Sequence, residues 1–330
     1  MSRPHRNADL SGSTDPVKRE LRNVAASVHE RLLNRSRERG EDFLFILQRY
    51  AAERFLYRLG KSPHRDRYVL KGAMLFALWG GSVYRATRDL DFTGYGSHET
   101  EAVLATIRDI CGLKTEDDGL NFDTTALAAV SIQEEAEYDG LRIRFRATLG
   151  RTRIPMQIDV GFGNAIHPAA NDVEYPTLLD APAPSIRAYP HQAVVAEKFH
   201  TMVVLGERTS RFKDFYDLHT LATQFAFDGG QLARAVAATF ERRRTVIDAA
   251  IPVGLTPRFY ADSARAAKWR AYLTRNNLPG APADFAAVGE LLQAFLGPIW
   301  SALAANGAFY NIWPSAGPWA PPTQSTGTRT

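Results

Sequence analysis

The chain has 330 residues, of which 45% are hydrophobic and 23% charged, and its formal net charge is +4. These values are typical of a folded protein of one or two domains and exclude collagen-like, disordered and strongly acidic chains. A single cysteine, Cys111, excludes an intrachain disulfide, and we find neither a signal-peptide start nor an apolar stretch of about 18 residues, so we expect a cytoplasmic protein that does not enter a membrane.

The N-terminal part of the sequence predicts a disordered tail followed by two helices. Residues 1–14 are polar and contain Ser, Gly and Pro, which is typical of a disordered tail. A helix is predicted from Asp15-Pro16, because an N-cap residue precedes a proline at the first helical position. A second helix should run roughly from Glu41 to Leu59 and stop at Gly60. Together these helices form a predicted N-terminal unit, residues 15–64.

The next segment, residues 65–180, has the pattern of a small sheet. Apolar and polar residues alternate in three runs, and the Gly-containing turns between the runs predict antiparallel hairpins. We therefore predict an α/β (α+β) fold with a small mixed sheet as its core. The predicted elements are a strand at 67–70, a helix at 73–79, a strand through 89–91, a helix at 98–113, strands at 128–134, 141–147 and 154–160, and turns at 138–140 and 149–151.

The remaining part of the chain predicts a helical domain and a tail. The Pro/Ala-rich stretch from Asp180 to Ser185 indicates a linker, and a helical domain is expected over residues 181–313. Residues 314–330 contain several Pro, Gly, Ser and Thr and are predicted to form a disordered tail. The predicted helices lie at about 191–205, 210–224, 229–244, 259–275 and 283–304.

Asp89 and Asp91 are the first candidate functional residues. Residues i and i+2 of a strand point to the same face, so the two carboxylates should project together. Adjacent like charges favour a cation between them, and oxygen ligands suit Mg²⁺. Asp159 lies between apolar strand residues and is the third candidate, because three carboxylates around one or two Mg²⁺ ions serve nucleotidyl transfer. Alternatively, Asp89 pairs with Arg85 or Arg88, and Asp159 caps a turn.

A possible phosphate-binding turn precedes these carboxylates. Lys71-Gly72 lies between a predicted strand and a predicted helix. A glycine at such a turn lets backbone N–H groups approach a phosphate closely, and the start of the helix adds a favourable field. The signal is weak alone and is strengthened by the carboxylate strand that follows.

Charged residues on two later helices are also candidates. Lys198 lies on an apolar helix, where it could neutralise a triphosphate or could be a surface residue paired with Glu197. Asp214 and Asp217 share one helix face and could receive a proton or position a nucleotide. Alternatively, these two acids only complement the helix dipole and pair with Arg211 and Lys213.

The helical half carries most of the positive charge. Between Ser185 and Gly280 there are 14 Lys and Arg residues against eight Asp and Glu. Lys268, Tyr272 and Arg275 are spaced for one helix face, and cations beside aromatics suit a nucleic-acid surface. The alternative is a solvated helix surface.

Four motifs in order along residues 65–220 give these candidates a common context. They are Val69-Leu70-Lys71-Gly72-Ala73, Arg85-Ala86-Thr87-Arg88-Asp89-Leu90-Asp91-Phe92, Lys198-Phe199-His200-Thr201 and Arg211-Phe212-Lys213-Asp214-Phe215-Tyr216-Asp217-Leu218. The set resembles the AbiEii-type toxins of type IV toxin–antitoxin systems, within the nucleotidyltransferases that have a DNA polymerase β-like core. One departure is Gly72-Ala73-Met74, which lacks the Ser or Thr hydroxyl of the family turn.

The resemblance implies a Mg²⁺-dependent toxin that transfers NMP from an NTP to RNA, with the tRNA 3′ acceptor end as the expected acceptor and inhibited translation and growth as the result. It also implies a cognate antitoxin as a partner and an active site between the two halves of the chain. Two alternatives stay open: a nucleotidyltransferase that modifies a protein side chain, and a non-catalytic module that binds RNA or the antitoxin. The implied roles are metal binding by Asp89, Asp91 and Asp159, catalysis by Asp89, Asp91, Lys198 and Asp214 or Asp217, and nucleotide contacts by Lys71, Gly72, Thr87 and Arg211.

Overall fold

The structure is a computed structural model that describes residues 23–80, 87–134, 138–163, 166–278 and 280–322. Its described elements follow one another as helices, then strands, then mostly helices. In chain order they are α1 (Val24–Arg39), α2 (Phe43–Lys61), β1 (Tyr68–Lys71), α3 (Leu75–Leu78), β2 (Asp89–Gly94), α4 (Thr100–Gly112), β3 (Leu120–Glu134), β4 (Tyr138–Leu149), β5 (Thr152–Phe162), β6 (Asn171–Glu174), β7 (Ser185–Ala188), α5 (His191–Leu205), α6 (Phe212–Gln224), β8 (Phe227–Asp228), α7 (Gly229–Arg242), α8 (Pro257–Tyr260), α9 (Ser263–Arg275), α10 (Phe285–Ala304) and β9 (Ile312–Trp313).

The first described helix is capped by a side chain at its start. The Asn23 side chain accepts a hydrogen bond from the Ala26 backbone N–H and caps α1, so the helix starts at Val24. The predicted start at Asp15-Pro16 and the predicted tail at residues 1–14 lie outside the described residues.

Gly60 lies inside α2 and does not end it, so the prediction that the helix stops there is wrong. The helix continues to Lys61. A Cβ atom on Gly60 would lie 2.4 Å from the backbone oxygen of Ser185. Glycine is therefore needed here because the helix and the strand approach each other closely. In the sequence, a glycine that allows such a contact cannot be distinguished from a glycine that ends a helix.

Seven of the described strands form one mixed sheet in the order β3-β4-β5-β2-β1-β7-β6. The pairs β2/β5 and β1/β7 are parallel, and the other neighbouring pairs are antiparallel. The predicted mixed sheet and both predicted hairpins, β3/β4 and β4/β5, are thereby confirmed. The predicted turn at 138–140 is wrong, because these residues already pair with β3 as the first part of β4.

The helices α1, α2 and α4 pack on one face of this sheet. The side chains that the strands bury beneath them are fully enclosed, including Leu90, Ile143 and Ile158 at 0% exposure. The polar residues that alternate with them in sequence therefore lie on the opposite face. That second face carries the candidate site.

The sheet extends past residue 180, the predicted limit of the core. β7 pairs in parallel with β1, with Val69 opposite Arg187 and Leu70 opposite Ala188. The Pro/Ala-rich stretch before it is thus a connection within the sheet unit. The helical part of the chain follows at His191, directly after this strand.

The C-terminal helix α10 is long and apolar enough, by length and composition, to cross a membrane, which the sequence analysis did not expect. Within the described residues it packs against α6, α7, α8 and α9. Phe285, Leu292 and Phe295 are 0% exposed. These contacts are those of a core helix in the helical half.

The described part of the predicted C-terminal tail, residues 314–322, is packed against the protein, so the prediction of disorder is wrong there. The Trp319 indole N–H donates to the Phe295 backbone oxygen at 2.9 Å, and the two rings stack with centroids 5.8 Å apart. Ile312 and Ala320 exchange backbone hydrogen bonds. Burial of an indole outweighs the Pro-rich composition that predicted a disordered end.

Candidate active site

The predicted carboxylate pair on β2 faces the side of the sheet opposite the helical layer. Leu90 and Phe92 are 0% and 1% exposed, whereas Asp89 and Asp91 are half-buried. The alternation places the two carboxylates on one face, as predicted. In the register of the sheet, Asp91 lies opposite Lys71 of β1 and Asp159 of β5.

Asp159 is held by an arginine that the sequence analysis did not single out. Arg142, its register partner on β4, donates from Nε to Oδ1 at 2.9 Å and from Nη2 to Oδ2 at 2.7 Å. This two-point contact fixes the carboxylate in one orientation, and the hydrogen bond to Asp159 raises the pKa of the Arg142 guanidinium above its ordinary value. Asp159 therefore belongs to a cross-strand ion pair and does not cap a turn.

Asp89 lies in a local balance of charges. Burial raises the pKa of its carboxyl above the ordinary value, and the nearby Asp159 carboxylate adds to the rise. The charges of Arg142, Lys213 and Arg144 act in the opposite direction. Among the described residues Arg88, the pairing partner that the sequence left open, is not one of the charges that act on Asp89, and Arg85 lies outside the described residues.

The Lys71-Gly72 turn lies directly against Asp91. Gly72 has a φ of +74°, which a residue with a side chain rarely adopts. A Cβ atom at this position would lie 2.1 Å from Asp91 Oδ2. Glycine is therefore required here both by the backbone conformation and by the space that the carboxylate occupies.

Lys198 of α5 is the centre of an ion cluster with α6. Its Nζ lies 2.8 Å from Asp214 Oδ1 and 2.8 Å from Asp217 Oδ2. Arg211 Nε donates to the other oxygen of Asp214 at 2.6 Å. The Lys198 side chain is 13% exposed and the two acids 3% and 1%, so the alternative of a surface lysine does not hold.

The charges in this cluster decide the ionisation of Asp214. Burial alone would raise the pKa of this carboxyl, but the charges of Lys198 and Arg211 and their hydrogen bonds outweigh it and hold the pKa well below its usual range. Asp214 is accordingly an anion that orients two cations. Such a group is a weak proton acceptor near neutral pH.

A cavity of about 480 Å³ lies between the sheet face and these helices. One wall carries the carboxylates of Asp91 and Asp159 and the turn at Gly72, and the other carries Lys198 and Arg211. The sheet wall also carries Lys71 and Arg142, and the helical wall also carries Lys213, Glu197 and Asp214, so charges of both signs line the cavity. The lining residues are Lys71, Gly72, Asp91, Ile132, Arg142, Asp159, Tyr189, Val194, Glu197, Lys198, Thr201, Arg211, Lys213 and Asp214.

Three of the predicted site residues do not line this cavity. Asp89 is on the same strand face but one pleat away, Thr87 precedes the strand, and Asp217 lies behind Lys198. The cavity lining therefore does not support the nucleotide contact predicted for Thr87 or the role beside the nucleotide predicted for Asp217, while Asp89 was predicted as a metal ligand.

Sequence analysis missed several lining residues. Arg142 could have been found, because it begins the alternating Leu-Arg-Ile-Arg-Phe-Arg run of β4. Tyr189 and Glu197 had no comparable signal. The Tyr189 hydroxyl donates to Glu197 at 3.0 Å and contacts the Thr93 hydroxyl at 2.6 Å, which connects α5 to β2 at the cavity wall.

The carboxylate oxygens on the sheet face are the kind of ligand that Mg²⁺ prefers. Asp89 and Asp91 supply oxygen ligands on one face, and the raised pKa of Asp89 indicates that a bound cation would stabilise its ionised carboxylate. In the described part of the chain, however, no three His, Cys, Asp or Glu side chains are grouped as a metal site. The predicted third ligand, Asp159, has both oxygens bound by Arg142. The residues therefore fit a cation held by two carboxylates, and the prediction of three ligands is not met.

The basic helix face predicted for RNA is not formed as proposed. Lys268 and Arg275 are exposed, but Tyr272 is partly buried and stacks on Trp269 with ring centroids 5.7 Å apart. The aromatic ring therefore belongs to the packing of the helical half. The cations of α9 remain, without an exposed stacking partner at this position.

Comparison with known proteins places this geometry in a family. No curated protein matches the chain. One similar solved structure is described as "putative nucleotidyltransferase from H. pylori", with a TM-score of 0.43 and 14% identity over 85% of this chain and 95% of that chain. Another is JHP933 from Helicobacter pylori, with a TM-score of 0.42 and 13% identity over 86% of this chain and 97% of that chain. The family model "Nucleotidyl transferase AbiEii toxin, Type IV TA system" matches residues 54–293. The chain therefore belongs to the AbiEii family of nucleotidyltransferase toxins from type IV toxin–antitoxin systems.

Proposed function

We propose that the protein transfers NMP from an NTP to RNA, with the tRNA 3′ acceptor end as the acceptor, in a Mg²⁺-dependent reaction that inhibits translation and growth. The observation that carries the proposal is the cavity with carboxylates on the sheet wall and Lys198 and Arg211 on the helical wall. A nucleoside triphosphate with a bound cation has the matching charges. The proposal also includes a cytoplasmic location and a cognate antitoxin as partner.

The polyphosphate would lie along the helical wall. Lys198 and Arg211 would neutralise its charge, and Gly72, which lines the cavity and has no side chain, would let it approach the backbone of the turn near Lys71. The acceptor hydroxyl oxygen would bond to the α-phosphorus while the bond to the β-phosphate oxygen breaks. The hydroxyl proton would pass to solvent, and pyrophosphate would leave. Thr87 remains a proposed contact at the start of the carboxylate strand.

Asp89 and Asp91 would hold the cation, and Asp159 would stay with Arg142. A bound Mg²⁺ would neutralise charge that develops on the phosphate oxygens and would favour deprotonation of the attacking hydroxyl. Arg142, fixed by Asp159, would place a further positive charge beside the two ligands.

Asp214 and Asp217 would act by positioning Lys198. Both of their contacts to Lys198 Nζ are 2.8 Å long, so the ammonium group has a fixed place at the cavity wall. A fixed cation loses less conformational freedom when the triphosphate binds. This role replaces the proton transfer that the sequence suggested for the pair, because the depressed pKa of Asp214 opposes it.

The test is transfer of radiolabel from α-labelled NTP to tRNA, together with growth inhibition on expression. We expect Asp89→Asn and Asp91→Asn each to reduce transfer at least about 100-fold and to abolish growth inhibition. Asp109→Asn, at a side chain 68% exposed on α4, is the matched control and should leave both unchanged. If Asp89→Asn and Asp91→Asn transfer label as fast as wild type, the proposed mechanism is wrong.

A further inference from the structure

The open face of β4 carries a row of arginines that the proposed chemistry does not use. Leu141, Ile143 and Phe145 point into the core, so the arginines that alternate with them point to the opposite face. Arg144 and Arg146 are exposed, and Arg153 adds an exposed guanidinium from the start of β5. We call Arg144, Arg146 and Arg153 the arginine strip.

The arginine strip begins at the active site. Arg144 follows Arg142 on the same face, lies opposite Gln157 of β5, and donates to its side-chain oxygen at 3.3 Å. Its charge reaches Asp89, where it opposes the rise in the carboxyl pKa. From Arg142 to Arg146 the strand advances by about 13 Å, at roughly 3.3 Å per residue. The strip therefore leads from the carboxylates outward over the sheet.

Little negative charge balances the arginine strip. Among the described residues, neither Arg144 nor Arg153 has a carboxylate within ion-pair distance. Arg146 lies opposite Asp123, whose carboxylate already accepts hydrogen bonds from the backbone and hydroxyl of Thr125. Like charges on adjacent positions of an open sheet repel one another, and a bound polyanion removes that repulsion.

We infer that the arginine strip binds the sugar-phosphate backbone of the RNA acceptor and leads its 3′ end to Asp89 and Asp91. The inference rests on the proposed RNA substrate and moves its docking surface from the basic helix α9 to the sheet. The strip adjoins the carboxylates, whereas the ring of Tyr272 on α9 is packed against Trp269. Exposed arginines in a row suit a phosphate backbone, since each guanidinium can donate to one phosphate in a fixed geometry.

The experiment compares two triple variants that lower the net charge equally. The first is Arg144→Ala, Arg146→Ala and Arg153→Ala, and the control is Lys268→Ala, Arg270→Ala and Arg275→Ala on α9, where all three residues are also exposed. Binding of fluorescein-labelled total tRNA is measured by anisotropy between 50 and 200 mM KCl. A fluorescent NTP analogue and thermal unfolding report on the cavity and on folding.

We expect the strip variant to bind tRNA at least roughly 10-fold more weakly than wild type at low salt. The slope of the logarithm of its association constant against the logarithm of the salt concentration should be smaller in magnitude by about 2, because three phosphate contacts are lost. NTP affinity should be unchanged, and the α9 control should bind tRNA within about 2-fold of wild type. Replacing the three strip arginines by lysine should restore most of the affinity, because the charge returns.

Two outcomes would overturn the inference in distinguishable ways. If wild type binds tRNA and the strip variant binds it equally well, the arginine strip is not the RNA surface, while the proposed RNA acceptor stands; a strip that served an acidic protein would give this result. If wild type shows no tRNA binding at any salt concentration used, the inference and the RNA acceptor both fail.

Discussion

Replacing Lys198 by methionine removes the cation that contacts both buried carboxylates of α6 and keeps an unbranched side chain in its place. The Lys198 ammonium group lies 2.8 Å from an oxygen of Asp214 and 2.8 Å from an oxygen of Asp217, and the two acids are 3% and 1% exposed. Removing one partner of a buried ion pair costs about 3–5 kcal/mol. Arg211 remains beside Asp214, so we expect the lower end, about 3 kcal/mol of unfolding free energy.

The assay is urea unfolding at pH 7 followed by tryptophan fluorescence. Lys268→Met, at an exposed lysine of α9, is the matched control and should change the unfolding free energy by less than about 0.5 kcal/mol. A Lys198→Met protein as stable as wild type would mean that the two carboxylates do not depend on this lysine.

The pH dependence of the same variant gives a second check. In wild type the pKa of Asp214 is depressed by Lys198 and Arg211 against the effect of burial. Its contribution to stability is thus present above the unfolded pKa of about 4 and is lost only as the pH falls through the lower folded pKa. In Lys198→Met the folded pKa of Asp214 should rise, so the variant should recover stability relative to wild type between pH 7 and pH 5. A deficit of equal size at both pH values would refute this reasoning.

The remaining predictions concern glycines and a buried acid. Gly72→Ala should reduce NMP transfer by at least about 100-fold, because its Cβ would displace Asp91. The control is Gly80→Ala, where φ is a similar +72° but no atom lies within 4 Å of the added Cβ, so only backbone strain is introduced and transfer should fall much less. Equal transfer rates in the two variants would exclude a role for the Asp91 contact. Gly60→Ala should lower the unfolding free energy by about 2 kcal/mol or more, because its Cβ meets a backbone oxygen of β7 at 2.4 Å, and an unchanged urea midpoint would contradict this. Burial raises the pKa of Glu53 to about 7, so its stabilising contribution should be full below about pH 4.5 and be lost as the pH rises through 7, a change of roughly 3 kcal/mol. Glu53→Gln should abolish this part of the pH dependence of stability, and a variant with the wild-type profile would contradict it.

Local patterns in the sequence predicted the features that depend on a single element. Alternation along β2 was sufficient to place Asp89 and Asp91 on one face, because the side-chain period of a strand is fixed. The bounds of α5 were predicted as 191–205 and are observed as His191–Leu205. The order of four motifs identified the family, which the match over residues 54–293 confirms.

Features that depend on contacts between elements could not be predicted. Arg142 reaches Asp159 through the register of β4 against β5, and no local spacing encodes that register. Lys198 was expected to hold a triphosphate, and no local pattern predicted its contacts with two acids of α6. Gly60 was interpreted as a helix end because a close helix–strand contact has the same one-residue signature.

Incubation of the purified protein with Mg²⁺, total tRNA and each of the four α-labelled NTPs in turn tests the proposed function most directly. We expect label from at least one NTP to enter a product that RNase digests and protease leaves intact, and we expect Asp91→Asn to form none of this product. Label that protease removes and RNase does not would show a protein acceptor and contradict the account. Absence of label from any NTP in wild type would contradict RNA nucleotidyl transfer itself.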